Sequence, residues 1–189
     1  MSQHDTYLFL LGSARREGNT EQLARHAAAS LPPEARQHWL YLPDHPLEPF
    51  VDIRHEAGLS YGQPEGNEAM LMQATLAADH LVFVVPLYWY SLPTETKRYL
   101  DYWSAWMRVP GADFKARMVG KSLSVITAVS DEDRAVAEPL VASLRLTADY
   151  MGMRFHGAVV GFGNRPGDVL SDPPALQAAS QLLALPVAA

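Results

Sequence analysis

Tyr7-Leu-Phe-Leu-Leu-Gly-Ser-Ala-Arg-Arg-Glu-Gly-Asn-Thr20 is the stretch on which the fold turns. Tyr7 to Leu11 is short and apolar at every position, as a strand covered on both faces must be. It stops at Gly12, and Asn19 or Thr20 is placed to cap a helix with Leu23, Ala27 and Leu31 on one side, closed by Pro32-Pro33. Strand, tight loop, helix is the opening unit of a parallel α/β domain.

The same alternation continues along the chain. His38–Leu42, His80–Val85, Leu123–Ala128 and Phe155–Val160 read as four further strands. Helical spacing marks Glu68–Ala78, Thr94–Trp106, a long amphipathic helix through Val136, Leu140, Leu144 and Met151, and a last helix at Ala175–Leu185. Between Pro43 and Gly66 the composition shifts to Pro, Asp, His, Glu and Gly without periodicity, a loop long enough to suggest a function such as walling a substrate pocket. Five strands alternating with helices imply one domain over residues 1–189, with a parallel sheet covered on both faces. Ligands of such sheets bind beyond the carboxyl ends of the strands, which directs attention to residues 12–20, 86–93, 127–131 and 161–168.

Composition narrows the chemistry. In 189 residues there are 48% hydrophobic residues, no cysteine and a net charge of −6. A chain of this length buries roughly 70% of its unfolded surface, enough to stand without disulfides or a structural metal. Lack of cysteine excludes thiol nucleophiles, thiolate metal sites and iron–sulfur clusters, and it fits a reducing compartment, the cytoplasm. The first seven residues carry no signal-peptide pattern, and no apolar run approaches the roughly 20 residues of a membrane span. The mild acidity offers no footprint for nucleic acid. The histidines are scattered, and His45 and His55 have no partner at a convincing ligand spacing, so no metal is expected.

Three loops carry candidate chemistry. Gly12 to Thr20 supplies two glycines, short hydroxyl and amide side chains and the charges of Arg15 and Arg16 at a helix start, where backbone N–H groups and the helix dipole attract a phosphate. It lacks the Gly-Lys-Ser/Thr of a nucleotide P-loop and the G-x-G-x-x-G of a dinucleotide turn, which leaves a terminal phosphate such as that of a mononucleotide cofactor. The plainer reading is a glycine turn with Ser13 or Thr20 as a helix cap. Pro86-Leu-Tyr-Trp-Tyr-Ser-Leu-Pro93 presents flat aromatic surfaces on a proline-bracketed loop, suited to a planar ring system or, equally, to packing. Thr127-Ala-Val-Ser-Asp131 offers small residues for close backbone approach, with Ser130 equally fit to cap a helix through Asp133. Lys97 and Asp101 read as a solvated helix pair, and Trp103 and Trp106 as core or dimer surface.

With these stretches, Val119-Gly-Lys121 and Pro166-Gly-Asp168 in order, the sequence resembles the NADPH-dependent FMN reductase group of flavodoxin-like proteins. The resemblance spans Tyr7 to about Val169. It implies a three-layer flavodoxin-like sandwich with a five-stranded parallel sheet of order 2-1-3-4-5 that binds FMN. Ser13, Arg15, Asn19 and Thr20 would hold the phosphate. Pro86, Leu87, Tyr88, Trp89, Tyr90 and Ser91 would contact the isoalloxazine, with Thr127, Ala128, Val129 and Ser130 on its far side. The third loop lacks the glycine often found there. NADPH or NADH would donate a hydride, and two electrons would pass by a ping-pong cycle to a quinone, an azo or nitro compound or a flavin. The flavin carries that chemistry, so no protein acid or base is demanded. A homo-oligomer, dimer or tetramer, is expected. The alternatives are a flavodoxin-type single-electron carrier and a flavin-free binding module.

Overall fold

The computed structural model describes residues 5–184. Five strands, β1 (Thr6–Leu11), β2 (Arg36–Tyr41), β3 (His80–Val84), β4 (Ser122–Val129) and β5 (Arg154–Phe162), form one sheet of order β2-β1-β3-β4-β5 with every pairing parallel. Six α-helices cover it: α1 (Asn19–Ala28), α2 (Gly66–Ala77), α3 (Thr94–Trp106), α4 (Phe114–Met118), α5 (Glu138–Tyr150) and α6 (Pro173–Ala184). This is the expected sandwich. Its direction of winding reverses between β1 and β3, and that switch point opens a crevice above their carboxyl ends.

The alternation of side chains along β1 builds both cores at once. Leu8 and Leu10 join Leu81, Phe83, Leu123 and Val125 under α2, α3 and α5, while Tyr7, Phe9 and Leu11 join Val82, Val84 and Ile126 under α1 and α6. On the first face Tyr99, Trp103, Trp106 and Phe114 lock edge to face at 5.4–5.8 Å. Trp103 and Trp106 are therefore core, not surface. Burial pushes the Tyr99 phenol above its ordinary pKa, and its hydroxyl pairs with Thr75 Oγ1 at 2.6 Å.

Several boundaries differ from those read in the sequence. The second strand starts two residues earlier and ends before Leu42, because Leu42–Asp44 closes into a 3-10 turn around Pro43. The run through Val136 begins as a 3-10 turn, Arg134–Ala137, and becomes α-helical only at Glu138. The five-residue α4 is too short to show a period. Leu185, given to the last helix, lies outside the described residues, as do the first four residues of the amino terminus. The Val119-Gly120-Lys121 segment serves the fold, since Lys121 Nζ donates to Ala78 O and, at 3.0 Å, to Leu76 O, closing the carboxyl end of α2.

Candidate functional site

All four predicted loop regions meet at the switch point. A cavity of about 380 Å³ is lined by Ser13, Ala14, Arg15, Gly18, Asn19 and Thr20 after β1, by Pro86, Leu87 and Tyr88 after β3, by Ala128 and Ser130 from β4, and by Gly163 and Asn164 after β5. A second cavity of about 200 Å³ shares Leu87 and Ser130 with it and adds Trp89, Tyr90, Val129 and Asp131. The two make one cleft with a polar end and an aromatic end.

At the polar end, Ser13 Oγ accepts the Arg15 N–H at 3.0 Å and folds the loop over itself. The helix begins at Asn19, with Gly18 as its N-cap and no side-chain cap. Neither Asn19 nor Thr20 caps it, contrary to expectation. The first N–H groups of α1 consequently have no intrahelical partner and face the cavity with the positive end of the helix dipole. A Cβ on Gly18 would stand 3.8 Å from Arg15 O and 4.0 Å from Ser13 Oγ, inside the hollow. That hollow suits a tetrahedral oxyanion.

The glycines work differently from the sequence reading. The positive φ of this loop belongs to Glu17 (55°), whose N–H is held by Glu21 Oε2 at 2.8 Å. Gly12 is needed for space, because a Cβ there would lie 1.9 Å from Thr96 Oγ1 on α3. Of the two arginines, Arg16 pairs with Asp44 and lies over the Tyr41 ring at 4.2 Å, so Arg15 is the cation that lines the cavity. The Asn19 amide is bound sideways: Nδ2 donates to Arg165 O and Oδ1 accepts the Gly167 N–H, both at 3.0 Å. It ties the segment after β5 to the loop after β1, which brings Gly163 and Asn164 into the wall. Those two were not named among the site residues; the glycine just beyond the last strand was the available signal.

At the aromatic end, Tyr88 and Ser91 exchange backbone hydrogen bonds at 3.2 and 3.1 Å. Between them Trp89 and Tyr90 take φ of 50° and 62°, the geometry of a type I′ turn. Asn and Gly are the usual residues there, and each bulky side chain in that region costs roughly 1–2 kcal/mol. Trp89 is 94% exposed. The Trp89 and Tyr90 N–H groups make no hydrogen bond among the described residues. Ser91 closes the turn and lines neither cavity.

Of the β4 loop, Ala128, Val129 and Ser130 line the cleft, whereas Thr127 is fully buried in the strand and lines neither cavity. Ser130 is not a helix cap: Asp133 accepts the Ala135 N–H at 2.9 Å, and Asp131 accepts the Asp133 N–H at 2.9 Å. Lys97 and Asp101 form the solvated pair expected of them. No residue of 45–65 lines the cleft. That segment packs on α3, where Arg98 donates to Leu47 O at 2.9 Å and Tyr102 to Glu48 O at 3.1 Å.

A doubly wound parallel sheet with an anion hollow at its switch point defines the flavodoxin-like class. The family model described as "Flavodoxin-like fold" matches residues 5–184, and the chain belongs to that family. A Bacillus subtilis protein provisionally named NAD(P)H-dependent FMN-containing oxidoreductase YwqN is 35% identical over 173 residues, 91% of this chain and 93% of its own. The solved structure of Trp repressor binding protein from Bacillus subtilis is 31% identical, with TM-score 0.74 over 94% of this chain and 97% of that one. An FMN-dependent NADH-azoreductase from Bacillus anthracis, solved in complex with FMN, shares the fold: TM-score 0.64 at 16% identity, over 96% of this chain and all of that chain.

Proposed function

We propose that this protein is an FMN-dependent NAD(P)H oxidoreductase that passes two electrons, by a ping-pong cycle, to a small-molecule acceptor such as a quinone, an azo or nitro compound or a flavin. The observation that carries the reading is the single cleft, with an uncapped helix start and Arg15 at one end and a rigid aromatic turn at the other. The residues present fit the cofactor. Its monoester suits Ser13, Arg15, Thr20 and the first N–H groups of α1, because a dianion gains from both the fixed dipole and the guanidinium. Pro86, Leu87 and Tyr88 give the ring an apolar wall, with Ala128 to Ser130 opposite.

When bound, FMN supplies the ability to take a hydride from the nicotinamide and to hand two electrons to the acceptor. The protein positions and polarises. The free N–H groups of Trp89 and Tyr90 would stabilise negative charge on a bound ring without reorganising, because the Tyr88–Ser91 bridge fixes the turn. Ser13 Oγ, by accepting the Arg15 N–H, holds the loop in the shape that would take the phosphate. Asn19 acts as a brace: its side-chain amide keeps the segment after β5 against the loop after β1, and the residue also lines the cavity.

The test is reconstitution. Added FMN should lose fluorescence on binding at micromolar protein, and the yellow complex should oxidise NADH or NADPH rapidly only when a quinone is supplied. No quenching at that concentration overturns the reading. Binding without quinone-dependent turnover would make the protein a carrier.

A further inference from the structure

Away from the cleft, the long 45–65 segment and α3 enclose a second, separate hollow of about 280 Å³. Its walls are mainly Phe50, Tyr61, Tyr102, Ile53 and Pro64, with the Glu68 carboxylate among them. The rings are held in place. Phe50 meets Tyr102 edge to face at 5.5 Å and lies nearly parallel to Tyr61, 6.4 Å away. Both phenol oxygens are bound to backbone, Tyr61 accepting the Ile53 N–H at 3.0 Å and Tyr102 donating to Glu48 O.

Glu68 is the unusual member. One oxygen accepts the Trp106 indole N–H at 3.0 Å, and no Lys, Arg or His among the described residues pairs with it. The arginines of the 45–65 segment, of α3 and just after it are engaged elsewhere: Arg54 with Asp52, Arg98 with Glu95 and Leu47 O, and Arg108 with Ser104 O. Its position in the first turn of α2 lets the helix dipole tolerate the charge but leaves it without a counter-cation. Burial holds its pKa above the ordinary carboxylate value. A half-buried carboxylate gains from a partner cation, and aromatic faces attract the same cation through their quadrupoles.

We infer that this hollow is a binding site for a small organic cation, an alkyl or aryl ammonium, seated between Phe50, Tyr61 and Tyr102 with its charge on Glu68. The site does not rest on the flavin reading, since it shares no residue with the cleft.

The experiment is a titration of the ¹⁵N-labelled full chain with benzylammonium, benzyl alcohol and benzoate, following the Trp106 indole N–H signal, which the Trp106→Phe variant assigns. Benzylammonium should shift that signal saturably at millimolar concentration or below, at least tenfold more tightly than the neutral and anionic analogues. Glu68→Gln should remove the preference for the cation without changing the weak response to benzyl alcohol, and Phe50→Leu should weaken cation binding several-fold. Saturating FMN should leave the affinity unchanged. Equal affinity for the three probes, indifference to Glu68→Gln, displacement by FMN or no shift at all would each overturn the assignment.

Discussion

The loop after β1 and the aromatic turn sit at opposite ends of one cleft and are built on opposite principles. Residues 12–20 reach their shape through mutual support: Ser13 holds Arg15, Glu21 holds Glu17, Asn19 holds the neighbouring segment, and Gly12 makes room for Thr96. One positive φ is carried there, and it is braced. The Tyr88–Ser91 turn places two consecutive bulky residues at positive φ with a two-bond bridge as its support. Stability is therefore expected to be sensitive to change at the bracing residues of the first region, and function with little loss of stability in the second. Strain of this kind collects at ligand sites, which is why the turn is the sharper test of the proposed function.

The largest effect is expected at Gly12. Gly12→Ala drives a Cβ into Thr96 Oγ1, and neither backbone nor helix can yield cheaply, so unfolding in urea should show a loss of about 2–3 kcal/mol. Adding Thr96→Ala should recover part of it; no recovery would locate the strain elsewhere. Arg15→Ala comes next. Loss of the cation that lines the hollow should weaken FMN binding by one to two orders of magnitude, at about 1.5–3 kcal/mol for a charged hydrogen bond, while the urea midpoint stays put. A parallel fall in stability would show that the Arg15 side chain also braces the loop.

The aromatic turn should answer in the other direction. Replacing Trp89-Tyr90 by Asn-Gly relieves the positive φ and should raise stability by about 1–2 kcal/mol while lowering flavin affinity and quinone-dependent turnover. A destabilised variant would mean the rings contribute packing that their exposure hides. The smallest effect lies at the far end of the sheet, in His80. Its ring is stacked on Tyr7 at 4.2 Å and bonded to Ser122 Oγ at 2.6 Å, and burial pulls its pKa below 6.5 although Asp5 pulls it up. The unfolded chain then binds the proton more readily, so this contribution to stability is complete above about pH 6.5 and is lost as pH falls through the lower, folded value. His80→Gln should flatten that limb of a stability–pH profile and leave FMN affinity unaltered.

Helices and strands with strong patterns were legible because burial imposes the pattern directly. The helix of Thr94–Trp106 was placed to within a residue by its spacing, and the strand at His80 by its apolar, β-branched run between Asp79 and Pro86. The site was legible as four loop regions, since the topology of a parallel sheet forces the carboxyl ends of its strands together. Roles within those loops were less so. That Asn19 does not cap the helix and instead ties in Arg165 and Gly167, nearly 150 positions away, could not be read from the loop alone. Arg15 and Arg16 are equivalent on paper, and Asp44 separates them. Thr127 looks available in a list of small polar residues, but the pleat turns it into the core.

The amino-acid order by itself determined the alternation of strand and helix, the parallel sheet, the absence of thiol chemistry and the loops that carry the cleft. These follow from local spacing and from composition, which do not depend on what lies far away in the chain. Tertiary structure alone decided which arginine lines the cavity, why Gly12 must be glycine, that two aromatic residues bear the strained turn, and that the long 45–65 segment encloses a hollow of its own. Apart from the turn, whose strain is local to Tyr88–Ser91, each of these is a contact between distant segments, and such contacts exist only once the chain has closed.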